Sequence, residues 1–163
     1  TNMATDESKA SVILLVDDEE MVVTSIKSFL TLETEYDVVS FTSPKDALEY
    51  AQNNKVDLVI SDYLMPDMDG IEFLAEIKRI QPEATRVLLT GYADKENAIK
   101  AINDVGLYQY IEKPWENEDL KLIIRNGLEK RILLKRLEEK IDEVNRAHSE
   151  LLNVQKEILK AFA

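Results

Sequence analysis

Asp62 closes the apolar run Val56-Asp57-Leu58-Val59-Ile60-Ser61 and opens the turn-rich stretch Tyr63-Leu64-Met65-Pro66-Asp67-Met68-Asp69-Gly70. Three other apolar runs also end on groups that can do chemistry: Asp17-Asp18, Thr90 and Lys113. Gathered together, Asp17, Asp18 and Asp62 would repel one another and hold protons more tightly unless they shared a cation. Mg²⁺ suits such a set. It is hard and octahedral, and it is commonly held by one or two carboxylates together with water and phosphate oxygens. No histidine or cysteine stands at these positions to favour a softer metal. Lys113 offers an ammonium and Thr90 a hydroxyl, both suited to phosphoryl oxygens. A site of this kind acts mainly by positioning and charge stabilisation. A carboxylate is also a known nucleophile in aspartyl-phosphate formation. Asp62 is the best placed of the three, because its loop leads away from the run that carries it.

Each group alone has an ordinary structural reading. An Asp-Asp pair can cap a helix, a threonine can satisfy loop backbone, and a lysine can sit on a surface turn. Their joint occurrence at run ends is what those readings explain badly, and it requires elements that bring the ends together. Short, continuous, branched runs at Val12–Val16, Val38–Phe41, Val56–Ile60, Arg86–Leu89 and Tyr108–Ile111 predict strands β1 to β5, buried on both faces as in a parallel sheet. Helical patterns predict α1 (Glu20–Thr31), α2 (from Pro44 to about Asn53, with Ser43 as N-cap), α3 (Gly70–Ile80), α4 (Lys95–Val105, closed by Gly106) and α5 (from about Glu116). Alternation of this kind gives an α/β fold, a five-stranded parallel sheet with helices on both faces. Ligands of such sheets bind at the carboxyl ends of the strands.

Composition narrows the function. The chain has 163 residues and is 45% hydrophobic, enough for one domain with a core plus an appendage. It has no cysteine, which excludes disulfides and thiolate catalysis and is compatible with a reducing, cytoplasmic setting. No run approaches the ~18 apolar residues of a membrane span. Residues 1–10 are polar and lack a signal-peptide core, and are expected to be a disordered segment with a tag remnant at Thr1-Asn2. The net charge is −12, all of it within residues 1–115; residues 116–163 are neutral. An acidic domain repels phosphate backbones, which disfavours direct nucleic-acid binding.

The stretches Leu15-Val16-Asp17-Asp18-Glu19, Ser61 to Gly70, Leu89-Thr90-Gly91-Tyr92 and Tyr110-Ile111-Glu112-Lys113-Pro114 together resemble the receiver domain of two-component response regulators, over about residues 11–128. The resemblance implies a doubly wound, flavodoxin-like (βα)5 fold and a phosphoryl group accepted on Asp62 from a sensor histidine kinase or phosphotransfer protein. It implies Mg²⁺ held by Asp17, Asp18, Asp62 and the Leu64 backbone carbonyl, with Lys113 contacting the phosphoryl group. Thr90 and Tyr110 would be the switch pair that alters the α4–β5–α5 face. Leu64 and Tyr92 are expected to flank the attacking water and slow self-dephosphorylation; the alternative is that both simply pack on the α4 face. A signalling rather than enzymatic role follows. The rival is a Mg²⁺-dependent phosphohydrolase of similar α/β layout, which would want an acid/base aspartate where Leu64 stands. A constitutive scaffold is disfavoured by the complete polar set.

From Glu116 onward the pattern is helical, with Gly127 as a single breaker costing ~1 kcal/mol relative to alanine. About 48 residues would span on the order of 70 Å as a helix. Leu120, Ile123, Ile124 and Leu128 are expected to pack on the sheet. Beyond them Leu134, Ile141, His148, Gln155 and Phe162 recur at a positions, and Leu137, Val144, Leu151 and Ile158 at d positions. This heptad seam predicts a dimerising coiled coil over 129–163. After Ala147 the flanks become apolar, at Leu152, Val154, Leu159 and Ala161, as in a wider bundle or against a further domain. An output domain missing beyond the chain is expected, resembling those of cyclic-di-GMP enzymes (HD-GYP or GGDEF type) or phosphatases. His148 lacks the acidic neighbour and following proline of a phospho-accepting helix and is expected to be an interface residue. The basic cluster Lys130, Arg131, Lys135 and Arg136 is balanced by Glu129, Glu138 and Glu139, which fits a solvated face.

Overall fold

A computed structural model describes residues 10–162, without the side chains of Tyr92 and Ala101. The expectation for residues 1–10 therefore lies almost wholly outside the described residues. The chain divides into two compact units, one ending at Leu128 and one from Glu129 onward.

The first unit is built on five parallel strands: β1 Val12–Val16, β2 Asp37–Phe41, β3 Leu58–Asp62, β4 Thr85–Thr90 and β5 Gln109–Glu112. Their order in the sheet is β2-β1-β3-β4-β5. The chain runs outward from β1 to β2, then returns across it to β3 and onward. The reversal opens a crevice at the carboxyl ends of β1 and β3. The strand residues alternate between two cores. Leu14, Val16, Val59 and Leu88 face Ala47, Ala51, Phe73, Leu74, Ile77 and Ala98, from α2 (Pro44–Asn53), α3 (Gly70–Ile80) and α4 (Lys95–Asp104). Ile13, Leu15, Leu58, Ile60, Val87 and Leu89 face Val23, Ile26 and Leu30 of α1 (Glu20–Glu33) and Leu120, Ile124 and Leu128 of α5 (Asn117–Ala161). Burial on both faces is why β1, β3 and β4 read as continuous runs. The edge strands β2 and β5 are only partly buried, so the expectation of burial on both faces holds for the three central strands alone.

Local signals set most element ends, with some differences from expectation. β3 starts at Leu58 rather than Val56. Val56 N–H donates instead to Gln81 Oε1 at 2.9 Å, and the Asp57 carboxylate accepts from Val12 N–H at 2.7 Å. Ser43 occupies the N-cap position of α2 but its hydroxyl makes no capping bond; Pro44 fixes the first turn instead. Asp69 caps α3, its Oδ1 accepting from Glu72 N–H at 2.8 Å. Gly106 follows α4 with φ +62°, as a helix-closing glycine should. Gly127 is more than a tolerated breaker. A Cβ there would lie 3.0 Å from Thr85 Cγ2 and 3.1 Å from Tyr108 Cε1, and Thr85 Oγ1 donates to its carbonyl at 3.0 Å. α5 approaches the sheet closely at that point.

Arg86 is 9% exposed. Its guanidinium donates to the carbonyls of Pro82, Ala84, Val105 and Gly106 at 2.9–3.2 Å. It ties the entry of β4 to the carbonyl-rich end of α4, where a cation is favoured. Burial lowers its pKa. Arg86→Met keeps the apolar stem but leaves buried carbonyls without donors. It is expected to cost about 2–3 kcal/mol, read as a lower urea midpoint at unchanged slope. A midpoint equal to that of the parent protein would show these bonds to be replaceable.

The second unit is helical up to Ala161, and every residue from Ile132 to Phe162 is exposed. No helix among the described residues is long and apolar enough to cross a membrane.

Candidate functional site

Asp62 is the last residue of β3, and its backbone partner in β4 is Leu89. Tyr63 N–H donates to Leu89 O at 2.9 Å, and Lys113 N–H donates to Thr90 O at 2.8 Å. The ladder thus sets Asp62, Thr90 and Lys113 on adjacent strand ends. Asp17 follows β1 directly, its N–H donating to Phe41 O at 3.3 Å. The four regions named from the sequence meet at one edge of the sheet.

Lys113 joins them. Its Nζ lies 3.1 Å from Asp17 Oδ2 and 3.0 Å from Asp62 Oδ1. The other oxygen of Asp17 accepts from Glu19 N–H at 2.9 Å, which fixes the turn into α1. Asp62 Oδ1 also accepts from Tyr63 N–H at 2.9 Å. Both bonds to Asp62 therefore fall on the same oxygen. Asp17 and Thr90 are fully buried and Asp62 is 6% exposed, whereas Asp18 is exposed. Asp17, Asp18 and Asp62 each present an oxygen within 4.8 Å of the others.

Charge in this pocket is out of balance. Burial pushes the Asp62 carboxyl up to about 6; the bond from Lys113 opposes the rise and the nearby Asp17 adds to it. Burial likewise raises Asp17, against its bonds from Glu19 N–H and Lys113. Burial works to lower Lys113, but its two carboxylate partners outweigh this and hold it above its ordinary value. Two raised carboxyls share one ammonium with a third carboxylate close by, an arrangement that a second hard cation would stabilise. All three groups offer carboxylate oxygens, the donor type that suits Mg²⁺.

The scan of protein families matches a response regulator receiver domain over residues 13–125. This chain belongs to that family. It is 40% identical over 114 residues to the response regulator protein VraR of Staphylococcus saprophyticus, covering 69% of this chain and 54% of that one. It is 34% identical over 121 residues to the hydrogenase transcriptional regulatory protein HoxA of Cupriavidus necator, covering 74% of this chain and 25% of that one. The chain thus spans between a quarter and about half of these relatives' lengths. Among solved structures, the signal receiver domain of an HD domain-containing protein from Pseudomonas fluorescens Pf-5 is similar at 36% identity and a TM-score of 0.71, covering 76% of this chain and 98% of that one. An adenylate cyclase structure from Rhodopirellula baltica is similar at 27% identity and a TM-score of 0.76, covering 82% and 98%.

In this receiver domain Thr90 Oγ1 donates to Gly91 O at 3.1 Å. Tyr110 is half-buried against the core shared with α2, α3 and α4. Leu64 is 61% exposed. The expectation for Tyr92 concerns a side chain outside the described residues. Sequence reasoning missed Gly70. A Cβ there would lie 2.1 Å from the Asp62 carbonyl oxygen and 2.9 Å from Leu88 Cδ1. The signal was present, since a glycine opening a helix right after the Asp62 loop often marks close backbone approach. On α5, the seam residues Leu134, Leu137, Ile141, Val144, His148, Leu151, Gln155, Ile158 and Phe162 are all exposed.

Proposed function

We propose that Asp62 accepts a phosphoryl group from the phosphohistidine of a sensor histidine kinase or phosphotransfer protein. Asp62 Oδ1 is engaged by Lys113 and Tyr63 N–H, which supports Oδ2 as the oxygen that attacks phosphorus. The new O–P bond forms as the donor's P–N bond breaks, and the departing imidazole takes up a proton. Asp17, Asp18, Asp62 and the Leu64 carbonyl would hold Mg²⁺, which supplies charge stabilisation to the phosphoryl oxygens. Lys113 turns from carboxylate to phosphoryl oxygen. The Thr90 hydroxyl leaves Gly91 O for the new group, and Tyr110 repacks, altering the α4–β5–α5 face. Phosphate must bind that second arrangement more tightly for the shift to occur. The signal passes along α5, through Leu120–Leu128, to a helix that pairs two copies of the chain and serves an output domain, in a cytoplasmic setting.

The observation that carries this reading is the buried Asp62 held by Lys113 beside Asp17 and Asp18. A phosphohydrolase would need an acid or base where the exposed Leu64 stands. The same residue offers nothing to orient a water, so slow self-dephosphorylation is expected. Incubation with a small-molecule phosphoryl donor and Mg²⁺, followed by intact-mass measurement, tests the proposal. One phosphoryl addition is expected, absent in Asp62→Ala, with loss over far longer than seconds. Addition that survives in Asp62→Ala would overturn the assignment.

A further inference from the structure

The helix of the second unit carries more apolar surface after Ala147 than one heptad seam needs. Up to Val144 the seam is Leu134, Leu137, Ile141 and Val144; Leu133 precedes it at a g position, and from there on its e and g flanks are Glu138, Lys140 and Asn145. That is the narrow stripe of a two-stranded coil. From Ala147 to Phe162 the charged residues Glu150, Lys156, Glu157 and Lys160 all lie at b, c or f positions, on the far side of the helix. The near side has none.

Two seams fit this near side, and they diverge at Val144. Continuing the heptad gives His148, Leu151, Gln155, Ile158 and Phe162, with a polar layer at His148 and another at Gln155. Shifting by three residues at Val144 gives Ala147, Leu151, Val154, Ile158 and Ala161, again at alternating spacings of four and three and with no polar residue. Leu151 and Ile158 belong to both. Only the layers beside them exchange: His148, Gln155 and Phe162 for Ala147, Val154 and Ala161. Successive residues are about 100° apart, so the exchange is a rotation of each helix by roughly 50°.

Neither seam has a clear advantage. The first buries Phe162 and long side chains but must place two polar ones in the interface, which costs stability. The second has no polar layer but buries small alanines, which contribute less apolar area. The partner that fits is a second copy in parallel. Paired that way, the uncharged distal stripe meets its own equal. Paired antiparallel, it would face Glu138, Lys140 and Asn145. About four heptads of apolar side chains are also on the scale of the ~800 Å² per partner that a specific interface buries.

We infer that residues 144–162 pair two copies of this chain in two alternative registers, one through His148 and Gln155 and the other through Ala147 and Val154, and that the phosphoryl state of the receiver selects between them. This rests on the dimeric reading above and specifies its interface.

The chain has no cysteine, so single cysteines report directly. Leu137→Cys, Ala147→Cys, His148→Cys, Val154→Cys and Gln155→Cys are made separately in the full chain. Disulfide formation between chains is followed with and without beryllofluoride and Mg²⁺. Facing cysteines link only when their Cα atoms approach within about 7 Å. Leu137→Cys, in the shared seam, is expected to link in both conditions. The rates at Ala147→Cys and Val154→Cys should change several-fold in the opposite sense to those at His148→Cys and Gln155→Cys, and Asp62→Ala should abolish the change. Linking at Leu137→Cys with none at Ala147→Cys or Val154→Cys, or with unchanged ratios, overturns the two registers and leaves the dimer standing. No linking at Leu137→Cys removes the dimer itself.

Discussion

Lys113→Met is expected to lower the stability of the metal-free protein by about 3–5 kcal/mol at pH 7.5, because it leaves Asp17 and Asp62 buried without their cation. The loss should shrink greatly at pH 5. Asp62 titrates near 6 in the folded protein, above its ordinary 3.8, and Asp17 is raised as well. Between those values the folded state holds more protons than the unfolded state, so stability falls as pH rises through the window and is flat above it. For Asp62 alone this amounts to on the order of 2–3 kcal/mol in the parent protein. Removing the ammonium pushes both carboxyls higher, which deepens the loss and moves it to higher pH. Urea unfolding at the two pH values, with and without Mg²⁺, checks this. Mg²⁺ should restore most of the stability at pH 7.5. An equal loss at both pH values would mean that Lys113 acts through packing of its stem rather than through charge.

The same pocket shows how far a sequence can be read. Asp17, Asp18, Asp62, Thr90 and Lys113 were legible because each follows a short strand-like run, and the continuous apolar runs among these imply a parallel sheet. Parallel strands bring such ends together whatever the detailed packing. The long last helix was legible because its period survives in one dimension. What could not be read were contacts between segments with no shared period. Arg86 opens a strand run in the sequence; its four carbonyl partners come from two separate segments, 82–84 and 105–106. Gly127 reads as a flaw in a helix until Thr85 and Tyr108 are placed against it. Ser43 has the right type and position for a cap, yet Pro44 fixes that turn without its hydroxyl. Thr90 falls at its strand end as read, but its bond to Gly91 O is a local contact that no period announces.

Gly70→Ala should damage the phosphoryl site more than its size suggests. As the first residue of α3, position 70 would gain at most about 1 kcal/mol in helix propensity from alanine. Against that, the new Cβ would lie 2.1 Å from the Asp62 carbonyl oxygen and 3.0 Å from the Asp62 carbonyl carbon, both backbone atoms that cannot rotate aside. Either α3 retreats, breaking the 2.8 Å bond from Gly70 N–H to Tyr63 O, or the end of β3 moves. Overpacking of this kind costs typically ~1–3 kcal/mol. The second route displaces Asp62 from Lys113 and from Asp17 and Asp18. A displacement of about 1 Å at a reacting group can cost on the order of a hundredfold in rate. The expected result is a folded, less stable protein that takes up phosphoryl from a small donor ten- to a hundredfold more slowly (order of magnitude). Gly91→Ala is the steric control for stability, since among the described residues a Cβ there meets only Asp94 Oδ2, at 3.8 Å. If Gly70→Ala loses stability but keeps the parent rate, α3 has yielded and the end of β3 has not. Asp62 is then held by its ladder bonds to β4 and by Lys113, with no need of the close approach at Gly70.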